Sequence, residues 1–386
     1  MEFQGHAEFE VHKMRTCVPV TGNIRRVREV LSQSAELGSQ VRVPPGGLQN
    51  GAPLVSIVIP NRNGMDVLPN CLDSLMRQRY PNVEILLVDN ASNDGSDGFV
   101  RRNYQSVRVI SKDENLGYGG GCNLGATEAA GDYVLFLAND TSVAPNFLEE
   151  LVRVAIRDSR IGIIQNKLLR ADNPLRIDSV GSYFTSTGLL YYQDQGMPDS
   201  YHDGQVLDIF AADGTAMMVR TSLFEELGGF DEDYSIYYDD VDFSWRMWSA
   251  GYRVVVATRS VVYHKGSATT SRDNSERIVF IQFRNRLCTL IKNLSGKDIA
   301  RVLPLHLITC VAGSLAFVLR GKPGLAGAIL GGLLWNVLNL RITLKKRRVN
   351  RRVAKAAIGD LFPRLERPMP ISELISSRIE YLNRWK

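Results

Sequence analysis

Four short stretches hold the residues able to do chemistry. "FLANDTS" (136–142) runs from apolar residues into the carboxylate of Asp140 and two hydroxyls. Alone, it fits a self-capped turn or a metal ligand at a strand end. "VDNASNDGS" (88–96) sets Asp89 and Asn90 ahead of a turn rich in Ser, Asn, Asp and Gly. It fits a solvated loop, or a nucleoside cradle whose carboxylate accepts from a base N–H or a ribose hydroxyl. "ENLGYGGGCNLG" (114–125) is a glycine-rich approach to a helix, where backbone can come close and a helix N-terminus favours anions. Flexible turns share that composition, and the phosphate-loop Gly-Lys-Ser/Thr is missing. "SIYYDDVDFSWR" (235–246) is the sharpest signal, with Asp239, Asp240 and Asp242 among aromatics. A helix dipole stabilises acids at its start, and a carboxylate in a partly apolar cleft is a good general base.

These stretches need elements to bring them together. "LVSIVIP" reads as a strand stopped by Pro60, "VEILLVDN" as a second, "VRVI" as a third and "DYVLFLAND" as a fourth. Between them, "DVLPNCLDSLMRQ", with Leu68, Leu72, Leu75 and Met76 on one face, and "GCNLGATEAA" read as helices. "APNFLEELVRVAI", opened by Pro145, reads as another. Apolar strands alternating with helices predict an α/β fold, a Rossmann-like, mostly parallel sheet covered by helices on both faces. Ligands of such sheets bind at the carboxyl ends of the strands, where Pro60-Asn61, Asp89-Asn90 and Asn139-Asp140 fall. After residue 165 the pattern loosens. "GTAMMVR" and "YRVVVA" read as strands, "DVDFSWRMWSA" as a helix and "SERIVFIQFRNRLCTLIKNL" as a long amphipathic helix.

The 386 residues exceed one ordinary domain, and 44% hydrophobic with 23% charged residues is a normal soluble balance. The expected division is an N-terminal extension and linker over 1–50, a catalytic domain over 51–296, and a C-terminal helical region with a basic tail over 297–386. The net charge of +5 hides an acidic centre and a basic end, "LKKRRVNRR". Cys17, Cys71, Cys122, Cys288 and Cys310 have no metal-ligand or redox spacing, so reduced thiols in a cytosolic compartment are expected. The opening "MEFQGHAEFEVHK" has early acids and no apolar core, unlike a secretory signal. Two uncharged stretches, 302–319 and 324–340, sit at the short end of the membrane-spanning range. Only Arg320–Pro323 separates them, so the pair is expected to lie as a shallow hairpin on the cytoplasmic leaflet, its basic tail drawn to anionic lipid. A buried helical pair of a soluble domain has the same pattern.

In order, "VSIVIPNRNG", "VDNASNDGS", "NLGYGGGCNLG", "FLANDTS", "GTAMMVR", "LGGFDEDYSIYYDDVDFSWRMWSAGYRVV" and "VVYHKGSAT" resemble the inverting GT-A glycosyltransferases of family 2. The nearest likeness is to the rhamnosyltransferase-like bacterial enzymes of cell-surface polysaccharide synthesis. It covers about residues 54–294, including "FRNR". The resemblance implies that Pro60, Asn61, Asp89 and Asn90 line a nucleoside pocket, and that Asn115, Gly117, Gly121 and Asn123 approach ribose and diphosphate. It also implies that Asp213 and Gly214 meet the donor sugar, that Asp140 and His264 hold Mg²⁺ or Mn²⁺, and that Asp240 is the base. Asp239 replaces the usual glutamate as a positioning acid, Asp242 organises the helix start, and Trp245-Arg246 borders the acceptor channel. The implied partners are a nucleotide-sugar donor (dTDP-rhamnose first), a lipid-linked or glycan acceptor and the bacterial inner-membrane surface on its cytoplasmic face, with no nucleic acid. One departure stands out. Relatives carry Asn or Asp two residues before the metal carboxylate, and this chain has Ala138. Asn139 is a poor substitute, because adjacent strand residues face opposite ways. That departure keeps open a degenerate nucleotide-sugar-binding protein at the membrane. A sugar nucleotidyltransferase fits less well, because "PNRNGMD" is a poor triphosphate loop.

Overall fold

The computed structural model describes residues 51–266 and 274–354. The expected extension over 1–50, Cys17 and the tail beyond 354 lie outside the described residues. In chain order the elements are β1 (Val55–Asn61), α1 (Leu68–Met76), β2 (Val83–Asn90), α2 (Ser96–Asn103), β3 (Val107–Lys112) and α3 (Gly117–Thr127). β4 (Tyr133–Leu137), β5 (Thr141–Val143), α4 (Phe147–Arg157), β6 (Ile161–Arg170), β7 (Ile177–Ser179), β8 (Ser182–Phe184), β9 (Leu190–Tyr192) and β10 (Val206–Asp208) follow. Then come β11 (Ala216–Arg220), α5 (Thr221–Glu226), α6 (Asp239–Ser249), β12 (Arg253–His264) and the helices α7 (Ser275–Asn293), α8 (Gly296–Leu319), α9 (Pro323–Leu338) and α10 (Leu340–Val353).

The main sheet runs β10-β12-β6-β11-β4-β1-β2-β3. β4, β1, β2 and β3 are parallel neighbours, as their continuous apolar runs predict, and β12 is parallel to β6. β11 is antiparallel to β4 and to β6, and the chain enters it beside Leu137, where β4 ends. β1 extends beyond the expected stop at Pro60 and pairs Asn61 with Asp89. β1 pairs with β4 only as far as Val58, so the missing N–H of Pro60 falls where the ladder is one-sided.

Two apolar cores flank the sheet. Leu68, Leu72 and Leu75 are buried in one, while Met76 stays exposed. On the other face α3 presses directly on the strands, and a Cβ on Gly125 would stand 2.2 Å from Val58. Trp245 fills the same core against Phe184 and Phe210. The four described cysteines are buried free thiols.

Contacts divide the chain at Gly46 and Gly47, and each of α8, α9 and α10 touches α7. The expected boundary near 296 is therefore not a gap in packing. α8, 24 residues long, is apolar enough to cross a membrane, while α9 and α10 meet at a 69° bend. Ile308, Val311, Leu315 and Leu319 recur at helical spacing on the exposed side of α8.

Candidate active site

The carboxyl edge of the sheet gathers the acids. Thr141 on β5 pairs with His264 at the end of β12, which brings Asp140 beside the imidazole. His264 Nε2 lies 3.6 Å from Asp140 Oδ1, and Nδ1 lies 2.8 Å from Asp178 Oδ2. Burial opposes charge on the imidazole, but the Asp178 hydrogen bond with the Asp140 and Asp213 charges outweighs it and raises its pKa. A carboxylate on Nδ1 orients the ring so that Nε2 is offered as a ligand, a common support for metal-binding histidines.

The donor set suits a hard divalent cation. Among the described residues no cluster of three His, Cys, Asp or Glu could hold an ion alone. One carboxylate and one imidazole leave positions for phosphate oxygens and water, as Mg²⁺ or Mn²⁺ at a nucleotide requires. Asn139 does not join them. It is buried, and its amide donates to Asn61 Oδ1 at 2.8 Å.

At the neighbouring strand ends, Asn61 donates to Asp89 at 3.2 Å and Ser92 N–H donates to Asp89 at 3.1 Å. Asp89 is thus both buried and the cap of its own turn. Asn90 donates to the Gly117 carbonyl at 3.1 Å, while its Oδ1 is buried without a partner. Gly121 lies against Asn90 and Pro60, where a Cβ would stand 2.7 Å and 3.3 Å from them. Asn115 accepts from Gly117 N–H at 3.0 Å and caps the approach to α3.

Asn123 departs from its expected role. Its amide donates to Phe230 O at 3.0 Å and Glu232 at 3.1 Å, and its oxygen accepts from Phe230 N–H at 2.8 Å. Those bonds commit it to fastening α3 to the 229–232 turn, not to a ribose or diphosphate.

The acids of α6 meet the 213–215 turn. Asp240 Oδ2 accepts from Gly214 N–H at 2.8 Å, and the Gly214 carbonyl accepts from Tyr118 OH. The same turn bonds Thr215 O to Ala138 N–H at 2.8 Å. One three-residue turn, 213–215, therefore separates the Asp140 strand end from Asp240. Burial, then the charges of Asp239 and Asp213, push the Asp240 carboxyl well above the ordinary range. Burial also raises Asp239 to about 6, and its Oδ2 is buried without a partner facing Gly119.

Asp242 is fully buried and bonded to Arg246 at 3.0 Å and Lys292 at 2.9 Å, which fixes the first turn of α6. Trp245 and Arg246 do not border an acceptor channel. Trp245 is in the core, and the Arg246 guanidinium donates to the carbonyls of Leu227 and Gly229, both at 2.6 Å.

Several site residues carried no sequence signal. Asp178 comes from the short strand β7. Gln165 on β6 accepts from Asp213 N–H at 2.8 Å and sets the turn. Tyr192, at the end of the β8–β9 hairpin, is 45% exposed as a residue, and burial of its hydroxyl, then the charges of Asp213 and Asp240, push its pKa up. Tyr118 lay inside the quoted glycine motif, but nothing in the motif pointed to its hydroxyl.

Residues 56–228 match the family described as Glycosyl transferase family 2, a match that ends before Asp239 and Asp240. The O-antigen biosynthesis protein RfbC of Myxococcus xanthus is 29% identical over 253 residues, which is 63% of this chain but 19% of that protein. The N-acetylglucosaminyl-diphospho-decaprenol L-rhamnosyltransferase of Mycobacterium tuberculosis is 28% identical over 233 residues, covering 51% of this chain and 71% of that enzyme. In fold, the chain is similar to S. aureus TarS 1-349, solved with UDP-GlcNAc, at a TM-score of 0.52 and 17% identity over 81% of this chain and 92% of that one. The sheet order and this family match agree: residues 56–228 carry a glycosyl transferase family 2 domain, and the fold around it is GT-A-like.

Proposed function

We propose that the chain transfers a sugar, with inversion, from a nucleotide-sugar donor to a lipid-linked or polysaccharide acceptor. The observation that carries this is the 213–215 turn, which joins the Ala138 strand end to the Asp240 carboxylate. A leaving diphosphate and an attacking alcohol would then share one crevice.

Asp240 takes the acceptor hydroxyl's proton as that oxygen bonds to the anomeric carbon. The bond from that carbon to the diphosphate oxygen breaks on the opposite side, and the nucleoside diphosphate departs with its electron pair. The raised pKa of Asp240 makes it a stronger base for that proton. Asp239 positions it from the α3 side. Pro60, Asn61, Asp89 and Asn90 form the nucleoside end, with Asn115, Gly117 and Gly121 along the backbone approach and Asp213-Gly214 at the sugar. Asp140 and His264 would hold a divalent cation, Mg²⁺ or Mn²⁺, which would supply neutralisation of charge on the diphosphate.

The rhamnosyltransferase relative, named for an N-acetylglucosaminyl-diphospho-decaprenol acceptor, supports a rhamnose donor and a polyprenyl-diphosphate-linked acceptor, and dTDP-rhamnose is the donor we put first. The exposed apolar face of α8 and the basic α10 support work at the cytoplasmic face of the bacterial inner membrane. The test is a panel of nucleotide sugars, assayed for donor hydrolysis and transfer with and without Mn²⁺. Metal-dependent release from one donor is expected, and no release from any donor would overturn the reading.

Ala138 favours a second reading, a nucleotide-sugar-binding protein without turnover. In that case donor affinity is measurable, turnover is absent, and Asp240→Asn changes nothing.

A further inference from the structure

The segment between the 232–234 turn and α6 is strained. Ser235, Tyr237 and Tyr238 carry side chains at φ of 57°, 64° and 69°. A side chain at positive φ is strained and persists only where its surroundings over-determine it. The next two residues are Asp239 and Asp240.

Helix α7 supplies the determination. Asn285 is fully buried, and its single amide NH₂ donates to the carbonyls of Tyr234, Ile236 and Tyr237 at 3.0, 2.9 and 2.9 Å. Arg284 Nε donates to Asn285 Oδ1 at 2.8 Å, which fixes the amide's orientation. Its Nη2 donates to Asp233 O at 2.8 Å. The guanidinium lies 5.2 Å from the Trp335 ring centroid on α9. Upstream, Lys346 of α10 contacts both Asp231 and Asp233, and buried Lys292 joins Asp231 to Asp242 at 2.6 and 2.9 Å. From the opposite side, Tyr118 N–H donates to Ser235 O at 2.7 Å. Gly117 makes this approach possible, since a Cβ there would stand 2.5 Å from Ser235 O.

We infer that Asn285 and Arg284 of α7, backed by Lys346 of α10, are positioning residues that hold the 235–238 segment, three of whose four residues have positive φ, and so aim Asp239 and Asp240 at the acceptor hydroxyl. A buried amide whose two hydrogens are shared among three carbonyls of one loop does little for the core that an apolar residue could not do. Its effect is to fix one loop conformation. The catalytic half of this inference rests on the glycosyl-transfer reading, whereas the clamp itself is a matter of backbone geometry.

The experiment compares the full chain with Asn285→Ala and, in case that variant folds poorly, Lys346→Met at the edge of the network. Hydrogen exchange of the 235–242 amides is read alongside donor affinity and turnover. Both variants are expected to exchange faster at 235–242 with β1–β4 unchanged, and kcat should fall about 10–100-fold, the scale of a small misplacement of a reacting group. Donor affinity should stay within about twofold, since no donor contact is touched. Lys346→Arg is expected to restore both readouts. Unchanged exchange at 235–242, or wild-type kcat with accelerated exchange, would overturn the inference. A wild-type chain inactive with every donor would instead sink the transfer reading, and the exchange result would still decide the clamp.

Discussion

Asp240 and Gly214 are bound side chain to backbone: the Gly214 N–H donates to the carboxylate at 2.8 Å. The contact orients one oxygen of the proposed base by a group that cannot titrate. The peptide dipole also offsets a little of the burial and repulsion that raise the carboxyl's pKa.

That raised pKa fixes a pH dependence. The charged form is the active base, and burial with the Asp239 and Asp213 charges disfavours it. Protonation therefore persists to higher pH than for an ordinary carboxylate near ~4. Turnover under saturating donor should rise with pH along an acid limb whose midpoint lies above that value. Asp240→Asn should lower kcat at least ~10²-fold while leaving nucleotide affinity near wild type. Loss of affinity equal to the loss of rate would count against the assignment.

Asp239 makes a stability prediction of the opposite sign to a salt-bridged acid. Its folded pKa of about 6 exceeds the ordinary value, so the folded chain holds the proton more tightly than the unfolded chain. That contribution is fully favourable below the unfolded pKa and is lost as pH climbs through the folded one. Asp239→Asn should raise Tm at pH 8 by about 2–4 °C, what ~1 kcal/mol gives in a large domain. The gain should vanish near pH 4. Calorimetry at the two pH values checks it, and a lower Tm at pH 8 would contradict it.

Asp178 gives a metal-linked test. It holds the His264 Nδ1 at 2.8 Å. Asp178→Asn should weaken Mn²⁺ binding about 10–100-fold, the usual cost of losing such support. His264→Ala should cost at least as much. Mn²⁺ titration in the presence of the nucleoside diphosphate measures both, and unchanged affinity would remove His264 from the metal site.

Arg341, Lys345, Arg348, Arg351 and Arg352 form the exposed basic side of α10. Near an anionic surface each is worth about 1 kcal/mol. Arg348→Glu with Arg351→Glu should cut cosedimentation with phosphatidylglycerol vesicles at least ~10-fold and leave binding to neutral vesicles unchanged. Equal loss on both vesicle types would point to misfolding of the helix.

Much of this was legible in the sequence. The continuous apolar runs of β1, β2 and β4 named the parallel sheet, and their ends placed Asn61, Asp89 and Asp140 on its carboxyl edge. The left-handed segment before α6 was not legible, because Ser-Ile-Tyr-Tyr has no glycine to announce it and α7 enforces it from about 50 positions away in the chain. β7, β8 and β9 are three residues each, too short to show a period, so Asp178 and Tyr192 arrived unannounced. Asn123 misled for a related reason. The glycine motif around it says where backbone is close, not which way an amide turns. Trp245-Arg246 misled because an arginine beside a tryptophan resembles a binding rim, whereas here the guanidinium finds two carbonyls inside the fold.

The β8–β9 hairpin has one more attachment. Just before β9, the Thr187 carbonyl lies 3.0 Å from Nδ1 of His306 on α8, and Gly188 sits on Leu290 and Val302. The loop that presents Tyr192 to the acids is thus shouldered by the longest apolar helix. If α8 rests on lipid, a tilt of that helix in the bilayer is passed directly to the hairpin that carries Tyr192.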